Sequence, residues 1–189
     1  MDGRVPCAGP IAPADPSWNE QVNVMKAVVV YESHWGNTAA IARAIADGIG
    51  EDALVLSTDE ASGPALADVD LLVAGAPVVA FHLPSEKMRE SIAAYTSKAP
   101  APPDLAHPML STWLDTLPPG HGRGAAFETH LRWAPGGATG AIERGLKRAG
   151  YRMATRAGRF LVQGSFGPLR DGELERARRW GTELRASVG

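Results

Sequence analysis

The sequence contains a single cysteine, Cys7, and few aromatic residues, which make up 6% of its 189 residues. One cysteine excludes an internal disulfide and a metal site built from clustered cysteines. The longest apolar run, from Leu71 to Phe81, has 11 residues and contains Pro77. Because a membrane-spanning helix needs about 20 consecutive apolar residues, no such helix is expected. With 44% hydrophobic and 21% charged residues, the composition predicts one ordinary globular domain, which we expect in the cytoplasm.

The first 24 residues differ from the rest of the chain. They contain four prolines and two glycines and show no hydrophobic periodicity, so residues 1–24 are predicted to be a disordered or loosely docked tail. They also lack the basic stretch followed by an apolar stretch that marks a secretory signal, so export is not predicted. Residues 25–189 have the length and composition of one domain with a sizeable core.

Positive charges are scarce in the first part of the chain. Residues 1–120 carry 6 Lys and Arg against 15 Asp and Glu, a balance of −9, whereas residues 121–189 carry 13 against 6, a balance of +7. One interpretation is a chance distribution over solvated helix faces, and the other is a dipole that orients a charged partner. The sequence lacks a basic motif interleaved with aromatic residues, so no nucleic-acid role is predicted.

From Met25 onward, short apolar runs alternate with amphipathic stretches, the pattern of a parallel sheet covered by helices. Ligands bind such sheets beyond the carboxyl ends of the strands. The fold class predicted is α/β, a doubly wound five-stranded parallel sheet with helices on both faces. The predicted strands are Lys26–Tyr31, Ala53–Ser57, Asp70–Ala76, Gly124–Glu128 and Arg159–Gln163, and the predicted helices are Thr38–Gly48, Ser85–Ser97, Met109–Leu117, Gly140–Gly150 and Gly172–Ser187.

The loop after the first strand runs directly into a predicted helix. Its backbone amides would converge at the helix N-terminus, where N–H groups and the positive end of the helix dipole can bind a phosphate. The alternative is an ordinary capped turn, in which Ser33, Asn37 and Thr38 satisfy helix amides. The loop matches neither the GxxxxGK[ST] motif of P-loop proteins nor the GxGxxG motif of dinucleotide-binding domains. The candidate phosphate-binding residues are Ser33, His34, Trp35, Gly36, Asn37 and Thr38.

The same segment resembles the FMN-phosphate loop of the flavodoxin family in residue type and spacing. The resemblance extends in element order over most of residues 26–187. It implies a flavodoxin-like sheet with strand order 2-1-3-4-5, an FMN cofactor, and two further loops that hold the flavin ring. The matching residues are Val29, Val30, Tyr31, Ser33, Gly36, Thr38 and, in the helix, Ala42.

By this resemblance, the loop after the third strand lies against the isoalloxazine ring of FMN. Pro77 matches the family's usual G-[ST]-P-T opening, whereas Ala76 and Val78 replace its hydroxyl residues. Phe81 either offers a flat apolar surface to the ring or folds onto the core, and His82 is a candidate proton donor. The candidate ring-binding residues of this loop are Pro77, Val78, Val79, Ala80 and Phe81.

The loop after the fourth strand is implied to be the second ring-binding segment. Trp133 supplies an aromatic side chain there, and Arg132 is interpreted either as a solvated surface charge or as a cation that favours the reduced flavin. The Gly–Asp pair that flavodoxins often carry at this point is missing from the sequence, which argues against strong stabilisation of a one-electron state. The candidate residues are Thr129, His130, Leu131, Arg132 and Trp133.

Three functions are compatible with this reading of the residues. The first is an FMN-binding redox protein that exchanges electrons with a partner protein. The second is a small FMN-dependent reductase that takes hydride from NAD(P)H to a quinone or similar acceptor. The alternative to both is a flavodoxin-like scaffold that binds no flavin and acts through protein contacts. The sequence contains no recognisable triad, metal cluster or carboxylate pair that would support a hydrolase.

Overall fold

The computed structural model describes residues 25–94 and 99–188, and the predicted tail, residues 1–24, lies outside these ranges. The described part contains strands and helices in alternation. The strands are β1 (Ala27–Tyr31), β2 (Leu54–Ser57), β3 (Leu71–Pro77), β4 (Arg123–Leu131), β5 (Arg152–Met153) and β6 (Gly158–Val162), and the helices are α1 (Asn37–Ile49), α2 (Arg89–Ala94), α3 (Leu110–Thr116), α4 (Thr139–Arg148) and α5 (Glu173–Val188).

The strands form one parallel sheet in the order β2-β1-β3-β4. The fifth position is shared, because β5 pairs with the beginning of β4 and β6 pairs with its end. This arrangement confirms the predicted doubly wound sheet with strand order 2-1-3-4-5. The carboxyl ends of β1, β3, β4 and β6 consequently meet at one edge, where ligands of such sheets bind.

The central strands are buried on both faces, and their side chains alternate between two apolar layers. Val28 and Val30 of β1 contact the layer formed with α3 and α4, whereas Val29 contacts the layer formed with α1 and α5. All three are fully buried. The nearly unbroken run of β-branched residues in β1 is therefore explained by burial on both sides.

Helix α1 is held in place by a close crossing with α5. A Cβ atom at Gly48 would lie 1.9 Å from the carbonyl oxygen of Arg178, and one at Gly181 would lie 2.2 Å from that of Ile45. Only glycine permits this approach of the two backbones. In addition, Arg185 Nη1 donates a hydrogen bond of 2.6 Å to the carbonyl of Ile49 at the end of α1. These contacts fix the direction in which the N-terminus of α1 points.

Three local predictions are corrected. Strand β4 continues to Leu131 instead of ending at Glu128, because residues 129–131 pair with residues 160–162 of β6. The two-residue strand β5 was not predicted. The predicted helix Ser85–Ser97 is a 3₁₀ turn over Glu86–Met88 followed by α2, and residues 95–97 lie outside the described ranges.

No helix in the described part of the chain has both the length and the apolar character needed to cross a membrane.

Candidate functional site

A cavity of about 490 Å³ opens at the carboxyl edge of the sheet. It lies among the segments that follow β1, β3, β4 and β6. Fourteen of the sixteen predicted cofactor-binding residues line it: Ser33, His34, Trp35, Asn37, Thr38, Pro77, Val78, Val79, Ala80, Phe81, Thr129, His130, Leu131 and Trp133.

The two remaining predicted residues lie beside the cavity. Gly36 lines a neighbouring cleft of about 350 Å³, which shares Ser33, His34 and Trp35 with the cavity. Arg132 lines a third cleft of about 540 Å³, which shares Leu131, Trp133 and Val162 with the cavity. Arg132 is exposed, so of its two interpretations the structure favours a solvated charge.

The first loop ends at Gly36, whose φ of 82° is in the left-handed region that favours glycine. Helix α1 begins at the next residue, with no side-chain hydrogen bond capping it and no acidic residue in its first turn. Among the described residues, no group accepts a hydrogen bond from the backbone amides of residues 33–38. Free amides at the start of a helix form a site for an anion. The alternative of an ordinary side-chain cap is not what the structure shows.

The polar side chains of this loop differ in their partners. Thr38 is buried, and its Oγ1 lies 2.8 Å from Thr129 Oγ1. Asn37 Nδ2 donates a hydrogen bond of 3.1 Å to the carbonyl of Phe166. The hydroxyl oxygen of Ser33, by contrast, is buried and has no hydrogen-bond partner among the described residues. A buried hydroxyl without a partner is costly, so Ser33 is available to a ligand oxygen.

The buried pair Glu32 and His34 connects the first loop to α3. Glu32 Oε1 lies 2.7 Å from His34 Nε2, and Glu32 Oε2 accepts a hydrogen bond of 2.8 Å from the amide of Leu110. Both side chains are at most 5% exposed. The carboxylate therefore ties the first loop to the start of α3, and it holds the His34 ring against the loop.

The aromatic side chain of Trp35 joins the first loop to the segment after β6. Its Nε1 donates a hydrogen bond of 3.1 Å to the carbonyl of Ala101, and its ring meets that of Phe166 edge-to-face at 4.9 Å. The segment carrying Phe166 folds back as a hairpin, in which Val162 pairs with Leu169. The cavity wall formed by Phe166 was not predicted, because an isolated loop aromatic carries no local signal for a site.

The loop after β3 folds into a tight hairpin. The amide of Val79 donates to the carbonyl of His82 at 3.0 Å, and the amide of His82 donates back at 2.9 Å. The two residues between them, Ala80 and Phe81, have φ values of 44° and 72°. Turns with two positive φ values favour Asn and Gly, so this turn is strained. Phe81 is 46% exposed and lines the cavity, which rules out the alternative of an aromatic folded onto the core.

Two glycines after β4 pack the second loop onto this hairpin. The amide of Gly137 donates a hydrogen bond of 3.0 Å to the carbonyl of Phe81. A Cβ atom at Gly136 would lie 2.2 Å from the same carbonyl oxygen. Glu128, fully buried, accepts hydrogen bonds from the amides of Ala138 and Thr139 and thereby fixes the end of the loop. Trp133 projects from this loop and is 76% exposed.

The 3₁₀ turn and helix α2 supply a further wall, through Met88 of the turn and Ser91 and Ile92 of the helix. Arg89 anchors this wall, since it donates hydrogen bonds to the carbonyls of Leu105 and His107. Glu86 is bonded to Arg89 as well. Burial works to raise the pKa of Glu86, but a hydrogen bond from the Met109 amide and the Arg89 charge outweigh it and lower this pKa below its ordinary value.

The cavity thus has a polar end at the start of α1 and apolar walls elsewhere. A ligand that fits it would carry an anionic group at one end and a flat apolar group at the other. Within residues 25–94 and 99–188, no cluster of His, Cys, Asp and Glu could hold a metal ion.

Comparison with solved structures shows flavodoxins among the similar folds. A flavodoxin from the domain Archaea has a TM-score of 0.61 at 23% identity, covering 87% of this chain and 99% of that one. Oxidised flavodoxin 1 from Bacillus cereus has a TM-score of 0.59 at 16% identity, with coverages of 84% and 96%. A flavodoxin, WrbA-like protein from Agrobacterium tumefaciens has 0.55 at 19%, with coverages of 87% and 97%.

No protein-family model and no curated protein matches the sequence. The strand order, the loop that opens α1 and these structural similarities agree with one another. The chain has the flavodoxin-like fold.

Proposed function

We propose that the cavity binds FMN, with its phosphate at residues 33–38. The observation that carries this proposal is the uncapped start of α1, where amides and the Ser33 hydroxyl have no partner among the described residues. A phosphate would satisfy these donors and interact with the positive end of the helix dipole. The flavodoxins of similar fold support FMN as the phosphate-bearing ligand.

The flavin ring is assigned to the space between the hairpin after β3 and the loop after β4. Phe81 and Trp133 are the exposed aromatic side chains that line this space. Val78 is held there by its amide, which donates a hydrogen bond of 2.9 Å to the carbonyl of Thr129. These residues would exclude water from the ring and give it apolar surface to stack on.

We propose a redox function for the loaded protein, either electron transfer with a partner protein or reduction of a small acceptor at the expense of NAD(P)H. Bound FMN would supply the redox chemistry, and the chain would bind it, orient it and tune its potential. The rival function is a scaffold that binds no flavin, which the missing hydroxyls at Ala76 and Val78 favour. Ala76 lies near the carboxyl end of β3, and Val78 directly follows the strand.

Purified protein tests this choice directly. Flavin-free protein mixed with FMN should bind it, quench its fluorescence and take on the absorption spectrum of a bound flavin. Riboflavin, which lacks the phosphate, should bind more weakly. No binding of either flavin would support the scaffold function instead.

A second measurement separates the two redox functions. Neither residues 77–83 nor residues 129–133 contain a glycine, and the Gly137 amide is already bonded to Phe81. Residues 77–83 and 129–133 therefore offer no glycine peptide that could rotate toward the ring, and the amide of Gly137 is not free to do so. Stepwise anaerobic reduction should therefore convert the oxidised spectrum into the fully reduced one without a third spectral species. A large third species would favour the electron carrier over the reductase.

A further inference from the structure

The cleft of about 540 Å³ beside the cavity has a composition of its own. It is lined by exposed side chains of two loops, one after β4 and one after β6. Arg132 and Trp133 come from the first loop, whereas Gln163, Arg170 and Asp171 come from the second. The size of the cleft is in the range of small-molecule sites.

The sheet register determines how far apart the two arginines lie. Leu131 of β4 is beside Val162 of β6, and Val162 is in turn beside Leu169. In the sequence, Arg132 directly follows Leu131 and Arg170 directly follows Leu169. Because Leu169 is antiparallel to Val162, Arg170 lies beside Leu161, whereas Arg132 lies one residue beyond the level of Val162. Adjacent strands are about 4.8 Å apart and a strand rises about 3.3 Å per residue, so the two arginine backbones are separated by roughly 12 Å. Two arginine side chains at this separation can reach the same ligand from opposite sides of the cleft.

Both guanidinium groups are available to a ligand. Among the described residues, neither Arg132 nor Arg170 forms an ion pair or a side-chain hydrogen bond. The nearby Arg159, in contrast, is paired with Glu128 at 2.6 Å. Asp171 also lines the cleft, so the lining carries two positive charges and one negative charge. The cleft is therefore cationic, in the part of the chain whose balance is +7.

Trp133 forms the boundary between this cleft and the cavity. It is 76% exposed, compared with 46% for Phe81, although a large indole is normally well buried. An exposed indole flanked by unpaired arginines can stack on a planar base while the arginines bind phosphate through their planar forks.

We propose that this cleft binds a nucleotide carrying a diphosphate, with the base against Trp133 and the phosphates between Arg132 and Arg170. The proposal names the class of small partner for the proposed flavin site and in that sense rests on the proposed function. Binding of the nucleotide itself involves a separate set of arginines and can be measured without any flavin.

The experiment titrates the full-length protein with ADP, both flavin-free and loaded with FMN, and follows tryptophan fluorescence and binding heat. ADP should quench the wild-type protein but quench Trp133→Phe much less. Arg132→Gln and Arg170→Gln should each weaken ADP binding on the order of tenfold, the loss of about one charge-assisted contact. Arg144→Gln is the matched control, because Arg144 is an exposed arginine of α4 without an ion pair among the described residues and lies outside the cleft.

Adenosine and inorganic diphosphate test the base contact and the phosphate contact one at a time. Each should bind more weakly than ADP, and only the diphosphate should lose affinity in the two arginine variants. The proposal is overturned if ADP does not bind, if the control variant weakens it equally, or if ADP competes with FMN for the cavity. If the same arginines bind an acidic protein and no nucleotide, the cleft is a site for a protein partner instead. Failure of FMN binding with intact ADP binding would overturn the proposed function alone.

Discussion

The two ends of the cavity are built in different ways. The end proposed to bind the phosphate, called the phosphate end below, comes from one continuous segment, residues 32–38, in which a strand passes through a short loop into a long helix. The end proposed to hold the flavin ring, called the ring end below, is assembled from the hairpin after β3, the loop after β4, α2 and the segment after β6. The first end has unused hydrogen-bond donors, whereas the second has a strained turn and exposed aromatic side chains.

This difference indicates which interactions each end can offer. Free amides and a helix dipole recognise an anion whatever is attached to it. Aromatic and apolar walls recognise a flat ring whatever charge it carries. The two ends should therefore respond separately to substitution, with the phosphate end discriminating FMN from riboflavin and the ring end treating them alike.

The largest effect is expected at the phosphate end. Ser33→Ala and Thr38→Val should each weaken FMN by about 1.5–3 kcal/mol, because each removes a hydrogen bond to a charged group. Riboflavin affinity should change little. Thr182→Val is the matched control, since it also removes a helix hydroxyl but lies on α5, outside the residues that line the cavity. Equal losses for both flavins in calorimetric titrations would contradict the placement of the phosphate.

The ring end should show a smaller effect that does not distinguish the two flavins. Phe81→Ala should weaken FMN and riboflavin equally, by about 0.5–1.5 kcal/mol, through loss of an aromatic contact. Leu174→Ala is a suitable control, because Leu174 is 39% exposed on α5 and does not line the cavity. A loss confined to FMN would place the phosphate, instead of the ring, near this hairpin.

The strained turn gives a prediction about stability. Ala80→Gly should raise the free energy of unfolding by about 1 kcal/mol, because glycine accepts the φ of 44° without steric cost. The same substitution at the exposed Ala186 of α5 should lower it by up to about 1 kcal/mol. Urea denaturation of both variants measures the two changes. Destabilisation by Ala80→Gly would show that the turn is not strained in solution.

The smallest effect is expected in the turn after β2, which lies outside the cavity. Like the phosphate end, this turn depends on residues that are close together in the sequence. The Ser57 hydroxyl donates to Asp59 at 2.7 Å, and this hydrogen bond lowers the pKa of the Asp59 carboxyl. A folded-state pKa below the unfolded one adds stability at neutral pH that is lost as the pH falls through the folded pKa. The stabilities of wild type and Ser57→Ala should therefore converge as the solution is acidified. A difference that is constant from neutral to acidic pH would rule out this linkage.

Much of the fold was predictable because it depends on near neighbours in the chain. The apolar run of β1 and the helical periodicity of α1 are local patterns, and they identified the strand, the loop and the helix in their correct order. The phosphate end lies entirely within that stretch. The residues proposed to bind the phosphate could therefore be suggested from local sequence and the resemblance, although neither could distinguish free amides from capped ones.

At the ring end, the candidate residues were named from the resemblance, but several structural features were not predicted. Residues 129–131 were assigned to the loop after the fourth strand, yet they are strand residues because β6 pairs with them. Gly136 and Gly137 lie beyond the predicted ring-binding residues in the sequence, but both contact the carbonyl of Phe81 in the structure. Phe166 reaches the cavity only because its hairpin folds back beside Trp35.

The sequence by itself therefore determined the α/β class, the strand order through its resemblance, and the loop that opens α1. The tertiary structure decided how long β4 is, which aromatic side chains stay exposed and which arginines remain unpaired. The physical reason is the range of the interactions. Helix periodicity and loop chemistry act over a few residues, whereas strand pairing and the walls of a cavity join residues that are distant in sequence, such as Thr38 and Thr129.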